Sequence, residues 1–177
     1  GKYVFHEVAA PNGYVAVTDI TFQVNYDGTV TVLDAQSNTV EYKNGKLVIT
    51  DQYDETPKKI TFSKVNLGGE EIAGAEIEIY AGDTVSGTPV EKWTSEAGKS
   101  KELTLAPGKY VFHEVAAPNG YVAVTDITFQ VNYDGTVTVL DAQSNTVEYK
   151  DGKLVITDQY DETPKKITFS KVNLGGE

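Results

Sequence analysis

Apolar and polar residues alternate with a period of two in short runs along most of the chain, the pattern of strands with one buried face. Ile60-Thr61-Phe62-Ser63-Lys64-Val65 alternates, and Ala75-Glu76-Ile77-Glu78-Ile79-Tyr80 carries glutamates on one face and aliphatics on the other. Residues 109–115 form a central run, flanked by short ones at 90–93, 103–105, 127–131, 136–140, 146–149 and 154–157. Turn signals separate the runs at close spacing: Gly68-Gly69, Pro107-Gly108, Asp134-Gly135 and Asp151-Gly152. No stretch between them looks helical. The pattern predicts an all-β fold, a β-sandwich of many short antiparallel strands.

The same pattern occurs twice. Residues 1–70 recur as residues 108–177, an offset of 107, with one difference: Asn44 in the first copy is Asp151 in the second. A period of that length is too long for a solenoid unit and suits one whole domain in a tandem repeat. The polar, proline-bearing stretch Asp54-Glu55-Thr56-Pro57-Lys58-Lys59, repeated at 161–166, reads as a linker. Residues 58–164 are therefore expected to be one complete domain. Residues 1–57 are the C-terminal part of a preceding repeat, and residues 165–177 the first strand of the next. A frame starting at Gly1 would instead cut the chain inside the Pro107-Gly108 turn. The chain opens on Gly1 and not on a methionine, and is expected to be a piece of something larger. Asn44 and Asp151 both precede a glycine in a hairpin turn, where either residue tolerates a positive φ, so the difference should leave the structure unchanged.

Composition narrows the function. The formal charge is −11 and every basic residue besides the two histidines is lysine. An acidic surface without arginine argues against nucleic acid as a partner. Cysteine is absent, which excludes disulfides, thiol catalysis and zinc-thiolate sites. No apolar run is long enough to span a membrane, and no membrane contact by this segment is expected.

Strand parity exposes an oddity. Ile60, Phe62 and Lys64 share a face, as do Tyr110, Phe112 and Glu114, and as do Leu154, Ile156 and Asp158. Each apolar stripe ends in a charge, on the first, central and last strands of the domain. These positions could lie just past the edge of the core and reach solvent. They could form a buried ion pair, a poor stabiliser because desolvation costs several kcal/mol per ion. Or they could do chemistry. A lysine desolvated among Ile60, Phe62 and Phe112 has its pKa lowered, making the nucleophilic amine accessible. Asp158, desolvated likewise, is driven toward the neutral, electrophilic acid, and Glu114 between them could shuttle protons. The product would be an amide between the Lys64 and Asp158 side chains, with loss of one water.

The residues also resemble a known family, the B-type domains of Gram-positive collagen adhesins (Cna-B domains), which recur in pilins and fibronectin-binding surface proteins. The resemblance is carried by Ile60-Thr61-Phe62-Ser63-Lys64, by Ala73-Gly74-Ala75-Glu76-Ile77-Glu78-Ile79, by residues 105–121 with their Glu114-x-x-Ala117-Pro118-x-Gly120-Tyr121 element, and by Leu154-Val155-Ile156-Thr157-Asp158. It implies an Ig-like, prealbumin-like β-sandwich with a spontaneous intramolecular isopeptide bond between the first and last strands, assisted by a glutamate. Carried over, that is Lys64 to Asp158 with Glu114. Many members close with Asn, and the Asp here matches a smaller branch. The equivalent positions in the partial repeats are Glu7, Asp51 and Lys171. The resemblance further implies a cell-wall-anchored extracellular protein, no cofactor and no metal, and neighbouring repeats as partners.

Three functions are then weighed. The first is a stalk or spacer, in which a covalent tie between first and last strands lets tension bypass the rest of the fold. The second is an adhesive module for a host matrix protein, through loops such as residues 82–89 or 95–100, which hold no aromatic cluster beyond the neighbouring Trp93. The third, an enzyme acting on external substrates, is not expected. His113-Glu114 lacks the second histidine of a zincin helix, and the Asp-Gly pairs lack the acidic spacing of a calcium loop. Only a single-turnover self-cross-link is expected.

Overall fold

A computed structural model describes all of residues 1–177 and contains strands and no helix. Residues 1–57 hold β1 (Lys2–Phe5), β2 (Tyr14–Val15), β3 (Ile20–Val24), β4 (Val30–Asp34), β5 (Thr39–Lys43), β6 (Lys46–Thr50) and β7 (Gln52–Tyr53). Residues 58–164 hold β8 (Lys58–Val65), β9 (Glu76–Ala81), β10 (Glu91–Thr94), β11 (Lys101–Leu105), β12 (Gly108–Ala116) and β13 (Tyr121–Val122). They continue with β14 (Ile127–Val131), β15 (Val137–Asp141), β16 (Thr146–Lys150), β17 (Lys153–Thr157) and β18 (Gln159–Tyr160).

Two sheets enclose the main core. One has the order β10-β9-β12-β14-β15 and the other β11-β8-β17-β16, with a short β13-β18 ladder beside them. The inward residues follow the alternation of the sequence. Ile60 and Phe62 from β8, Ile77 and Ile79 from β9, Phe112 from β12, Phe129 from β14, and Leu154 and Ile156 from β17 are all buried in one cluster. Phe62 sits at its centre, packed against Trp93, Phe112 and Phe129 at ring separations of 5.5–6.2 Å. Trp93 is thus a flank of the core.

One pairing departs from expectation. The sandwich was expected to be antiparallel throughout, yet β8 and β17 pair in parallel, with Phe62 opposite Leu154 and Lys64 opposite Ile156. Parallel neighbours need a long crossover between them. Here the crossover is nearly the whole domain.

The two sequence copies fold differently. Residues 1–57 form a three-stranded sheet in the order β1-β3-β4, a β5-β6 hairpin and a β2-β7 ladder, each with the register of its copy within residues 108–160. Nothing in this part corresponds to β8 or β9, so Phe5, Phe22, Leu47 and Ile49 are only half-buried where Phe112, Phe129, Leu154 and Ile156 are sealed. At the other end, residues 165–177 repeat the sequence of β8 but form no strand. The first strand expected there lacks the partners that β11 and β17 give to β8, and alternation alone does not make a strand.

Asn44 and Asp151 adopt the same left-handed conformation, φ 50° and 51°, in matching two-residue hairpins. The single difference between the copies is structurally silent, as expected.

Identical phenylalanines in unequal surroundings make a controlled comparison. Phe129→Ala should cost about 3–5 kcal/mol, the range for emptying a sealed aromatic site, and its copy Phe22→Ala less than half of that. Native-state hydrogen exchange of the β14 and β3 amides measures both; equal losses would contradict the burial difference.

Candidate functional site

The site forms where β8 and β17 lie side by side and β12 faces them across the sandwich. Lys64 belongs to the buried end of β8, whose final residues run on into a close turn. The Lys64 carbonyl accepts from the Ile72 amide at 2.9 Å, and its own amide donates to the Glu71 carboxylate at 3.1 Å. The β8–β17 pairing extends past the last residue of β17, because the Asp158 amide donates to the Val65 carbonyl at 2.9 Å. Asp158 then sits between β17 and β18 with its backbone held on both sides. Glu114 lies on β12 just before a register shift between Glu114 and Ala116 in its pairing with β9. Irregularities of this kind commonly re-aim a side chain beside a site.

The structure brings the three expected residues together. Lys64 Nζ donates directly to Asp158 Oδ1 and lies 3.4 Å from Glu114 Oε2. Lys64 and Glu114 are each 4% exposed and Asp158 is fully buried. The solvent-reaching alternative is thereby set aside. Glu114 Oε1 accepts the Val124 amide at 2.8 Å, while Glu114 Oε2 and Asp158 Oδ2 have no hydrogen-bond partner. Two carboxylate oxygens are thus turned toward one lysine in an apolar chamber whose walls include Phe62, Phe112 and Ile156. A partly open cavity of about 560 Å³ reaches Lys64 from the exposed residues Glu96, Lys99 and Lys101.

Burial sets the electrostatics. It pushes the Lys64 amine down from 10.5 to about 8, with the facing Glu114 charge partly offsetting the fall. Burial likewise raises the Glu114 carboxyl, opposed by the Lys64 charge and by the Val124 N–H. Both shifts run toward the neutral forms, the direction desolvation demands.

Of the equivalent positions in the flanks, Glu7 and Asp51 stay together and Lys171 is apart. Glu7 repeats the Glu114 arrangement, accepting the Val17 amide at 2.8 Å, and Asp51 stands beside it. Partial burial, and then the Glu7 charge, hold the Asp51 carboxyl above its usual range. Lys171 is exposed in the strandless tail and forms no ion pair.

His113 lies on the opposite face of β12 from Glu114, where its Nδ1 meets Asp126 Oδ1 at 2.6 Å and its ring packs edge-on to Tyr80. It takes no part in the site. No group of three or more histidine, cysteine or carboxylate side chains converges to hold a metal. Sequence reasoning missed the Val124 amide that orients Glu114 and the Glu71 carboxylate that caps the Lys64 backbone. The first is a main-chain donor and carries no side-chain signal.

A family model for the SpaA prealbumin-like fold domain matches residues 58–146, just over half of the chain. The chain belongs to that family. The SpaA-type fold is the all-β, prealbumin-like class implied by the resemblance to the B-type adhesin domains. No curated protein matches the chain. Among solved structures it is similar to the C-terminal fragment of the pilus adhesin SpaC from Lactobacillus rhamnosus GG, with 21% identity, 94% of this chain and 79% of that one covered, and a TM-score of 0.48. It is similar also to the pilus adhesin RrgA from Streptococcus pneumoniae, with 18% identity, 85% and 21% covered, and a TM-score of 0.46. A streptococcal ancillary pilin gives 21% identity, 92% and 42% covered, and a TM-score of 0.46. The SpaA-type chain thus spans less than half of the last two proteins.

The lowered Lys64 pKa makes a pH prediction. In an Asp158→Ala chain, Lys64 has no Asp158 to meet. Between about pH 8 and 10.5 its amine is deprotonated in the folded state and protonated in the unfolded one, so stability rises with pH across that window. Urea titrations of Asp158→Ala against Asp158→Ala/Lys64→Met, from pH 7 to 11, read this difference. A flat difference would show that Lys64 is not desolvated.

Proposed function

We propose that this SpaA-type chain is part of the stalk of a Gram-positive cell-surface adhesin or pilus-like protein, stiffened by a self-made isopeptide bond between Lys64 and Asp158. The observation that carries the reading is the direct contact of Lys64 Nζ with the buried Asp158 carboxyl at the edge of the apolar core. Under this reading residues 58–164 are one complete repeat, and residues 1–57 and 165–177 are parts of its neighbours. The protein is displayed outside the cell and anchored to the wall.

The chemistry follows from the groups present. Transfer of one proton from the ammonium to Asp158 turns the ion pair into a neutral amine and a neutral acid, which the chamber favours over charges. Lys64 Nζ attacks Asp158 Cγ, forming the N–C bond. Glu114, held by the Val124 amide, takes a proton from the attacking nitrogen and returns it to the departing hydroxyl. The C–O bond breaks and one water leaves. Each domain turns over once, and what began as a lysine and a carboxylate ends as a neutral amide.

The ties on the backbones of Lys64 and Asp158 supply the effective concentration that an uncatalysed amide condensation lacks. The bond joins residues 94 positions apart in the sequence. By the chain-entropy model a closure of that length stabilises the fold by about 4–5 kcal/mol.

Intact mass spectrometry tests the proposal. The folded chain should weigh one water less than its sequence, and Lys64→Ala and Asp158→Ala should restore the full mass. Glu114→Ala should accumulate the unbonded form at early times. A full-mass wild-type chain, or a water loss that survives Lys64→Ala, would overturn the assignment.

A further inference from the structure

The two copies of the repeat meet through three tyrosines. Tyr14 and Tyr53, opposed on the β2-β7 ladder, stack at 5.2 Å, and Tyr53 stacks in turn on Tyr133 at 4.4 Å with planes only 14° apart. Tyr133 lies in the turn between β14 and β15 of the complete domain, so the stack runs from the last ladder of one repeat onto the near end of the next. Gly13 completes the seat. A Cβ there would touch the Tyr133 Cβ and the Asp134 amide nitrogen, each at 3.4 Å, so the Gly13 backbone lies directly against this turn.

Because the sequence repeats, each half of this contact occurs once more, without a neighbour. Tyr26 is the copy of Tyr133 and is fully exposed, whereas Tyr133 is half-buried. Tyr121 and Tyr160 are the copies of Tyr14 and Tyr53. They stack at 5.1 Å, and no third ring covers them. Gly120, the copy of Gly13, faces open space. The sites differ only in whether a neighbouring repeat is there to fill them.

The linker between the halves is set by its own residues. Asp54 accepts from the Thr56 amide at 3.1 Å and from its hydroxyl at 2.6 Å, and its other oxygen pairs with Lys58 at 2.8 Å. The identical network forms at Asp161, Thr163 and Lys165, where no folded domain follows. The turn therefore holds its shape before the next repeat folds. Lys58, and then Thr56, hold the Asp54 carboxyl down to about 2, so the turn keeps its charge at any ordinary pH.

We propose that Tyr14, Tyr53 and Tyr133 form a joint that locks adjacent repeats in one orientation, with Tyr26 and the Tyr121–Tyr160 pair as open halves for further copies of the same repeat. The occupant is the neighbouring repeat, because the contact is already made once in this chain by identical residues. The inference rests on the reading of the chain as part of a repeat array. It does not depend on the Lys64–Asp158 bond. Aromatic stacking adds only a small increment beyond buried area. That is too little to hold free molecules together but enough to fix two units already joined by a short, shaped linker.

Backbone ¹⁵N relaxation of the whole chain tests the joint. Residues 1–57 and 58–164 should tumble with one correlation time in the wild type and in Tyr133→Phe, which keeps the ring. Tyr133→Ala should give residues 1–57 a distinctly shorter correlation time, while Tyr26→Ala leaves the shared value unchanged. Separate correlation times in the unaltered chain, or a shared one that persists in Tyr133→Ala, would overturn the proposal. The one-water mass difference, read on the same samples, reports the cross-link independently. A failed joint and a failed bond are therefore distinguishable.

Discussion

The demanding feature of this fold is the enclosure of a lysine and two carboxylates between its sheets. Desolvating such groups costs several kcal/mol per ion, and a pair of attractions rarely recovers it in full. Every structural device near the site bears on that cost. The parallel register of β8 and β17 puts Asp158 beside Lys64, the alternation of β12 turns Glu114 inward, and the Val124 amide satisfies one oxygen of Glu114. Glu114 Oε2 and Asp158 Oδ2 accept no hydrogen bond. A site optimised for stability alone would have given those positions to apolar side chains, as at Ile156 and Phe112 two residues away on the same faces.

The sandwich and the site residues were largely legible in the sequence because both rest on parity. Alternation assigns Ile60, Phe62 and Lys64 to one face wherever the strand lies, and the same argument holds for Glu114 and Asp158. What parity cannot report is pairing between distant strands. The parallel alignment of β8 with β17 is a property of the closed fold, since no turn joins them and no local residue encodes their direction. The hydrogen bonds that orient the site escaped for a different reason. Val124 is an ordinary valine in the connection between β13 and β14 whose contribution is its main-chain N–H.

The repeated sequence also works as a natural experiment on context. Lys58–Val65 is a strand, and the same residues at 165–172 are not. Phe129 is sealed while Phe22 is half open. Glu7 and Asp51 stand together with no lysine between them, their copies meet one, and in both places the glutamate keeps its backbone donor. The carboxylate half of the site is thus preassembled by β1 to β7 or their copies, and the first strand adds only the amine.

The parallel pairing has a further geometric consequence. In an antiparallel closure the first and last strands would deliver the two chain ends to the same pole, and successive domains would fold back on one another. Here β8 enters at Lys58 and β17 leaves at Thr157 beside Val65, at the far end of the same ladder. Residues 58–157 therefore carry the chain forward by about the length of an eight-residue strand, roughly 26 Å, without returning it. In the repeat array proposed above, length would grow by simple addition of copies, and repeat number would set how far apart the first and last domains stand.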